Sequence, residues 1–262
     1  MTAKGTKRGA AAKRSSARPA GTAVGRAPAA RPVAPRGEAP DAKSMRMAVP
    51  GAGDVSALLI RPAKPTALYV LAHGAGADMR HAFMEAIAQR LAARGIGTLR
   101  YQFPYSEKGS RRIDPEPVLL ATVRAAVAAG RDAAGGVPLL AGGKSMGGRM
   151  TSRAAAAEPL PGVAGLVFLG FPLHPAGQPG TSRADHLAKV ELPMLFLQGS
   201  RDSLADLTLL RPVLERLGAR ATLRVFDDAD HGFHVPKRSG RTDEQLLEEL
   251  AAAVDEWREG LA

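Results

Sequence analysis

The heptapeptide GGKSMGG, residues 142–148, can be read as a phosphate loop or as the turn that carries a hydrolase's nucleophile, and that choice decides the fold. A phosphate loop of the form G-x-x-x-x-G-K-[ST] needs a glycine five positions before Gly143, where this chain has Pro138. The dinucleotide fingerprint fails as well. HGAGADM offers Gly74 and Gly76, but Met79 stands where the third glycine belongs. Gly143-Lys144-Ser145-Met146-Gly147 does fit G-x-S-x-G. With 29 glycines in the chain the bare pentapeptide says little. Its setting says more: the apolar run PLLAGG (138–143) leads in and small residues open a helical pattern behind, which is the strand-turn-helix context of a nucleophile elbow. Strand and helix approach closely at such a turn, so side chains two positions either side of the serine would collide.

Outward from this turn the chain alternates short apolar runs with helical patterns. The runs are 55–60, 66–72, 98–103, 138–143, 163–170, 193–199 and 221–226, mostly continuous rather than alternating, as in strands covered on both faces. Helical segments are expected near 79–93, 115–130, 147–157, 204–217 and 242–260. The last has a capping box, Thr242 with Gln245, ahead of Leu246, Leu247, Leu250, Val254, Trp257 and Leu261 at helical spacing. The pattern predicts an α/β fold, a mainly parallel sheet with helices on both faces and its ligands beyond the carboxyl ends of the strands.

A serine hydroxyl attacks only if a histidine takes its proton and an acid orients that histidine. The run at 193–199 is followed by GSRDSLAD, which places Asp202 in a strand-end loop, and the run at 221–226 by DDADHGFH, which places His231 in the next. The order Ser145, Asp202, His231 is the chain order of this class of triad. Asp206, Asp185 and His234 are rivals that lie farther from the strand ends. Asp227, Asp228 and Asp230 crowd the base and either raise its pKa or face water. The backbone N–H of Met146 and that of Ala75, in LAHGAGAD, are the expected oxyanion donors, with Gly74 letting the backbone approach the substrate and His73 organising the loop. Phe171, Leu173 and His174 follow a strand end directly and are expected near the pocket. The segment 171–192 has little apolar periodicity, so no helical lid is expected, and an uncovered site suits a small ester.

Bulk composition sets bounds. A chain of 262 residues can bury one large core. It has no cysteine, which excludes disulfides and thiolate chemistry; no metal or cofactor is expected. The net charge of +11 sits mostly in residues 1–44, which hold ten Lys/Arg against Glu38 and Asp41. This Ala/Pro/Arg-rich segment has no aromatic residue and no periodic apolar face, so residues 1–44 are expected to be a disordered tail and 45–262 the folded domain. Loose contact of the tail with nucleic acid or an anionic surface is open to it, without the aromatics that base stacking needs. No secretory leader and no membrane span are read, and a cytoplasmic location is expected.

Taken together, LAHGAGA, GGKSMGGR, FLGFPLHP, LQGSRD and DADHGFHVPKRSGRT resemble the α/β-hydrolase superfamily, and within it the small lidless members related to dienelactone hydrolase and testis-expressed protein 30. The resemblance covers about residues 55–258. It implies the α/β-hydrolase fold, a Ser145, Asp202, His231 triad and an oxyanion hole from Met146 and Ala75, hence an esterase-like serine hydrolase needing no cofactor. Dienelactone hydrolase itself uses a cysteine nucleophile, so its substrate does not carry over. The group also includes hydrolase-like domains acting in protein assemblies, which leaves a second expectation: a non-catalytic interaction module whose basic tail recruits acidic partners.

Overall fold

A computed structural model describes residues 41–261. The expectation of a disordered tail falls almost wholly outside them. The order of elements is β1 (Lys43–Val49), β2 (Gly53–Ile60), β3 (Ala67–Ala72), α1 (Ala82–Ala93), β4 (Ile96–Tyr101), α2 (Pro104–Glu107), α3 (Glu116–Ala134), β5 (Leu139–Lys144), α4 (Met146–Ala157), β6 (Val163–Leu169), β7 (Met194–Gly199), α5 (Leu207–Leu217), β8 (Ala221–Phe226) and α6 (Asp243–Glu259). The sheet order is β1-β2-β4-β3-β5-β6-β7-β8. Neighbours from β4 through β8 are parallel, whereas β1 and β2 pair antiparallel, β2 against β4.

The continuous apolar runs follow from this arrangement. Strands β3, β4 and β7 are buried along their whole length because both faces are covered. Period-two alternation then divides each strand between two cores. Met194 and Phe196 of β7 pack with Leu119 and Val123 of α3, Met150 of α4 and Leu210 and Leu214 of α5. Leu195 and Leu197 of the same strand pack with Ile87 and Leu91 of α1 and Leu246, Leu250 and Val254 of α6. The α6 capping box forms as its sequence predicts: the Thr242 side chain accepts from the Gln245 N–H, and the Gln245 side chain accepts from the Thr242 N–H.

Two elements had no reading in the sequence. Strand β1 begins at Lys43, inside the segment assigned to the tail; it is an edge strand with one polar face, and its basic start blends into what precedes it. Helix α2 is four residues long with Pro104 at its start, too short to show a period. Between β6 and β7, where a lid would be inserted, the chain forms a loop and one 3-10 helix, Ser182–Lys189. Among the described residues no helix is long and apolar enough to cross a membrane. Because β3 and β5 to β8 run the same way, the loops that follow them open on one edge of the sheet, and four of these carry Ala75, Ser145, Asp202 and His231.

Candidate active site

Ser145 sits between β5 and α4 with φ 50° and ψ −116°, a left-handed conformation that a non-glycine residue holds only when its surroundings enforce it. The glycines two positions away are what permit the close approach. A Cβ on Gly143 would lie 2.2 Å from the Ala72 carbonyl oxygen, and one on Gly147 would lie 2.5 Å from that of His73. The turn is thereby pressed against the end of β3.

The structure brings the three expected side chains together. His231 Nδ1 lies 2.7 Å from Asp202 Oδ2 and His231 Nε2 lies 2.8 Å from Ser145 Oγ. A carboxylate accepts, so the imidazole donates from Nδ1 and Nε2 is left to accept the serine hydroxyl proton. The Asp202 side chain is fully buried while that of His231 is 23% exposed, so the imidazole meets solvent and the carboxylate does not.

The two residues expected to supply oxyanion donors lie beside Ser145. Met146 is the first residue of α4, so its N–H has no carbonyl one turn back in the helix. A Cβ on Gly74 would be 3.5 Å from the Ser145 Cβ, which puts the loop carrying Ala75 against Ser145, with Ala75 itself exposed. His73 organises this loop. Its Nε2 accepts from the Phe103 N–H at 3.3 Å and its Nδ1 donates to the Gly74 carbonyl at 2.9 Å, and burial holds its pKa below the usual histidine value.

Three expectations need correction. Phe171 and Leu173 do not line an open pocket: they are 1% and 0% exposed and belong to the core, Phe171 packing edge-on against Phe168 and Phe196. His174 is also buried, and its ring joins two loops, Nδ1 donating to the Pro175 carbonyl and Nε2 accepting from the Asp206 N–H. Proximity to a strand end was legible; the direction of each side chain was not.

Each rival has other work. Asp206 caps α5 by accepting from the Thr208 N–H, Asp185 is exposed on the 3-10 helix, and His234 pairs with Asp243 at the start of α6. Asp230 shapes the His231 loop, its Oδ1 accepting from the His234 N–H. A second serine-histidine contact, Ser152 Oγ to His186 Nε2 at 2.7 Å, joins a buried hydroxyl to a partly exposed imidazole. There the hydroxyl donates to the Arg149 carbonyl, Ser152 is fully buried, and His186 Nδ1 has no partner among the described residues. Burial, with Arg153 and Arg149, pushes the His186 pKa down to about 4. With its hydroxyl buried and no carboxylate on Nδ1 among the described residues, this pair is a structural tie.

Two site residues went unread. Gln198, fully buried at the end of β7, donates from Nε2 to Asp202 Oδ2 and accepts the Phe171 N–H through Oε1. With the Leu204 N–H on Oδ1, Asp202 accepts three hydrogen bonds. Lys144 donates from Nζ to the His231 main-chain carbonyl. Among the described residues no group of three or more His, Asp or Glu side chains is placed to hold a metal ion.

A lidless, mainly parallel sheet with a serine at a strained strand-to-helix turn defines the class: an α/β hydrolase. Residues 65–259 match the family model described as an alpha/beta hydrolase domain, and the chain belongs to that family. Its fold is similar to that of an α/β serine hydrolase without a lid from Xanthomonas campestris, at 23% identity and a TM-score of 0.66 over 87% of this chain and 98% of that one. It is also similar to a dienelactone hydrolase from Anabaena variabilis (21% identity, TM-score 0.66, 84% and 98% covered) and to the esterase domain of a Rhodothermus marinus protein (16% identity, TM-score 0.64, 84% and 98% covered).

Proposed function

We propose that this hydrolase cleaves small esters by acyl transfer, with Ser145 as nucleophile, His231 as general base and acid, and Asp202 as the carboxylate that orients it. What carries this reading is the unbroken relay from the Ser145 hydroxyl to His231 at 2.8 Å and on to Asp202 at 2.7 Å.

The chemistry follows from the geometry. As Ser145 Oγ bonds to the carbonyl carbon, its proton passes to His231 Nε2, and the imidazolium is stabilised by the carboxylate on Nδ1. The carbonyl oxygen gains the negative charge, with the Met146 and Ala75 N–H groups as its donors. The tetrahedral species expels the alcohol, which takes the proton from Nε2, leaving an acyl-serine. A water then gives its proton to Nε2 and attacks the acyl carbon; collapse releases the acid and returns the proton to Ser145. The connection between β6 and β7 carries a loop and a 3-10 helix in place of an α-helical lid, and the esterase domain named above has a similar fold, so a short or extended ester fits better than a lipid needing a closed pocket.

Steady-state hydrolysis of a graded series of p-nitrophenyl esters tests the reading. Ser145→Ala and His231→Ala are expected to lower kcat by about four orders of magnitude or more, with Asp202→Asn close behind. Wild-type turnover in Ser145→Ala contradicts it.

A further inference from the structure

Lys144 precedes the nucleophile and shares a strand face with Leu140, which packs among the α1 and α6 side chains. A cation on that face is costly unless something compensates it. Among the described residues no carboxylate lies within ion-pairing distance of it. Its Nζ instead donates to the main-chain carbonyl of His231 at 2.5 Å, and lies 5.4 Å from the ring centroid of Phe233 and 5.8 Å from that of Phe83. Those two rings stack on each other at 5.7 Å. Burial lowers the ammonium pKa to about 8 despite the opposing effect of Asp202 and Asp230.

The His231 loop needs such a tether. Asp228 and Phe233, on either side of the base, both hold positive φ, 61° and 62°, a conformation that side chains other than glycine adopt at a cost. Other bonds fasten this loop to the end of β7 and the start of α6: the Asp228 N–H to Ser200 Oγ, the Arg201 N–H to the Ala229 carbonyl, and the Val235 N–H to Asp243. Among the described residues only two hydrogen bonds join it to the nucleophile's turn. One is the His231–Ser145 contact, which must break and re-form during turnover; the other is the Lys144 bond.

We infer that Lys144 is a positioning residue for acyl transfer: by clamping the carbonyl of the residue that bears the imidazole, it keeps base and nucleophile in register while protons move between them. This deepens the function proposed above and rests on it. The clamp works through backbone, so it sets geometry in the reacting states and leaves substrate binding alone.

The test uses the full chain as wild type, Lys144→Met, Lys144→Cys, and the Cys variant alkylated with 2-bromoethylamine. The chain has no native cysteine, so alkylation rebuilds a lysine-length ammonium at that one position. Misplacement by about an ångström costs up to about 100-fold, so kcat of the Met and Cys variants is expected to fall about 10- to 100-fold with KM nearly unchanged. Alkylation is expected to restore most of the lost kcat. Wild-type kcat in Lys144→Met, a loss confined to KM, or a folded alkylated variant no faster than its unalkylated parent overturns the proposal. A wild type inert toward both esters and a fluorophosphonate sinks the hydrolase reading itself and the clamp with it, a result seen before any variant is compared.

Discussion

Gln198 performs no chemistry, yet its amide fills two valences at once, donating to Asp202 and accepting from the backbone of Phe171. Replacing it by leucine leaves a buried N–H and a carboxylate lone pair without partners, each at a cost of about 1–3 kcal/mol. Gln198→Leu is therefore expected to lower the urea midpoint and to reduce kcat more than it raises KM. An unchanged melt and unchanged kcat would show that the amide is incidental. Nothing in PMLFLQG announces this role, since a glutamine at a strand end has many uses. Ser145, Asp202 and His231 were legible because each lies in the loop that follows a strand, where the parallel topology limits what it can reach. Phe171 and Leu173 satisfy the same criterion and still point into the core; the loop's path, which period and propensity do not encode, decides that.

At the level of elements, close approach and capping give opposed expectations. Gly147→Ala puts a methyl 2.5 Å from the His73 carbonyl oxygen and 2.6 Å from the Ala72 Cβ, so α4 must move away from β3. The outcome expected is lost ester hydrolysis together with a lowered melting temperature. Thr242→Ala removes only the cap of α6 and no hydrogen bond of the relay, at about 1 kcal/mol with kcat unchanged. Strand β1 gives a third contrast. Met47 and Val49 are buried and the strand pairs with β2 from Lys43 to Val49. Deleting residues 1–40 is expected to leave hydrolysis unchanged, whereas deleting residues 1–49 should destabilise the domain, as thermal melts of the two truncations would reveal. The central strands and long helices were readable from continuous runs and helical spacing. The half-polar edge strand β1 was not, because half of its side chains face water and its charges continue those of the tail.

Over the whole molecule, two histidines whose surroundings disfavour the charged form make stability sensitive to acid. His73 and His186 both have pKa values held below the ordinary 6.5, by burial first, His186 to about 4. The unfolded chain binds protons at these sites more readily than the folded one, so stability falls as pH drops below 6.5 and levels off only beneath the folded values. For His186 much of the fall lies between pH 7 and 5, as pH drops through the unfolded value towards the folded one. The exposed His234, raised by its hydrogen bond to Asp243, acts in the opposite sense, contributing below 6.5 and losing that contribution as pH rises. Urea unfolding at the two pH values should show the acid loss, and His186→Gln should shrink it; an undiminished loss would place its origin elsewhere.

The most direct test of the central claim is to treat the folded protein with a fluorophosphonate and locate the adduct by peptide mass spectrometry. The account predicts a single phosphonylated serine at position 145, formed in the wild type and absent from His231→Ala. A folded wild type that stays unmodified, or an adduct on Ser152 instead, would contradict it.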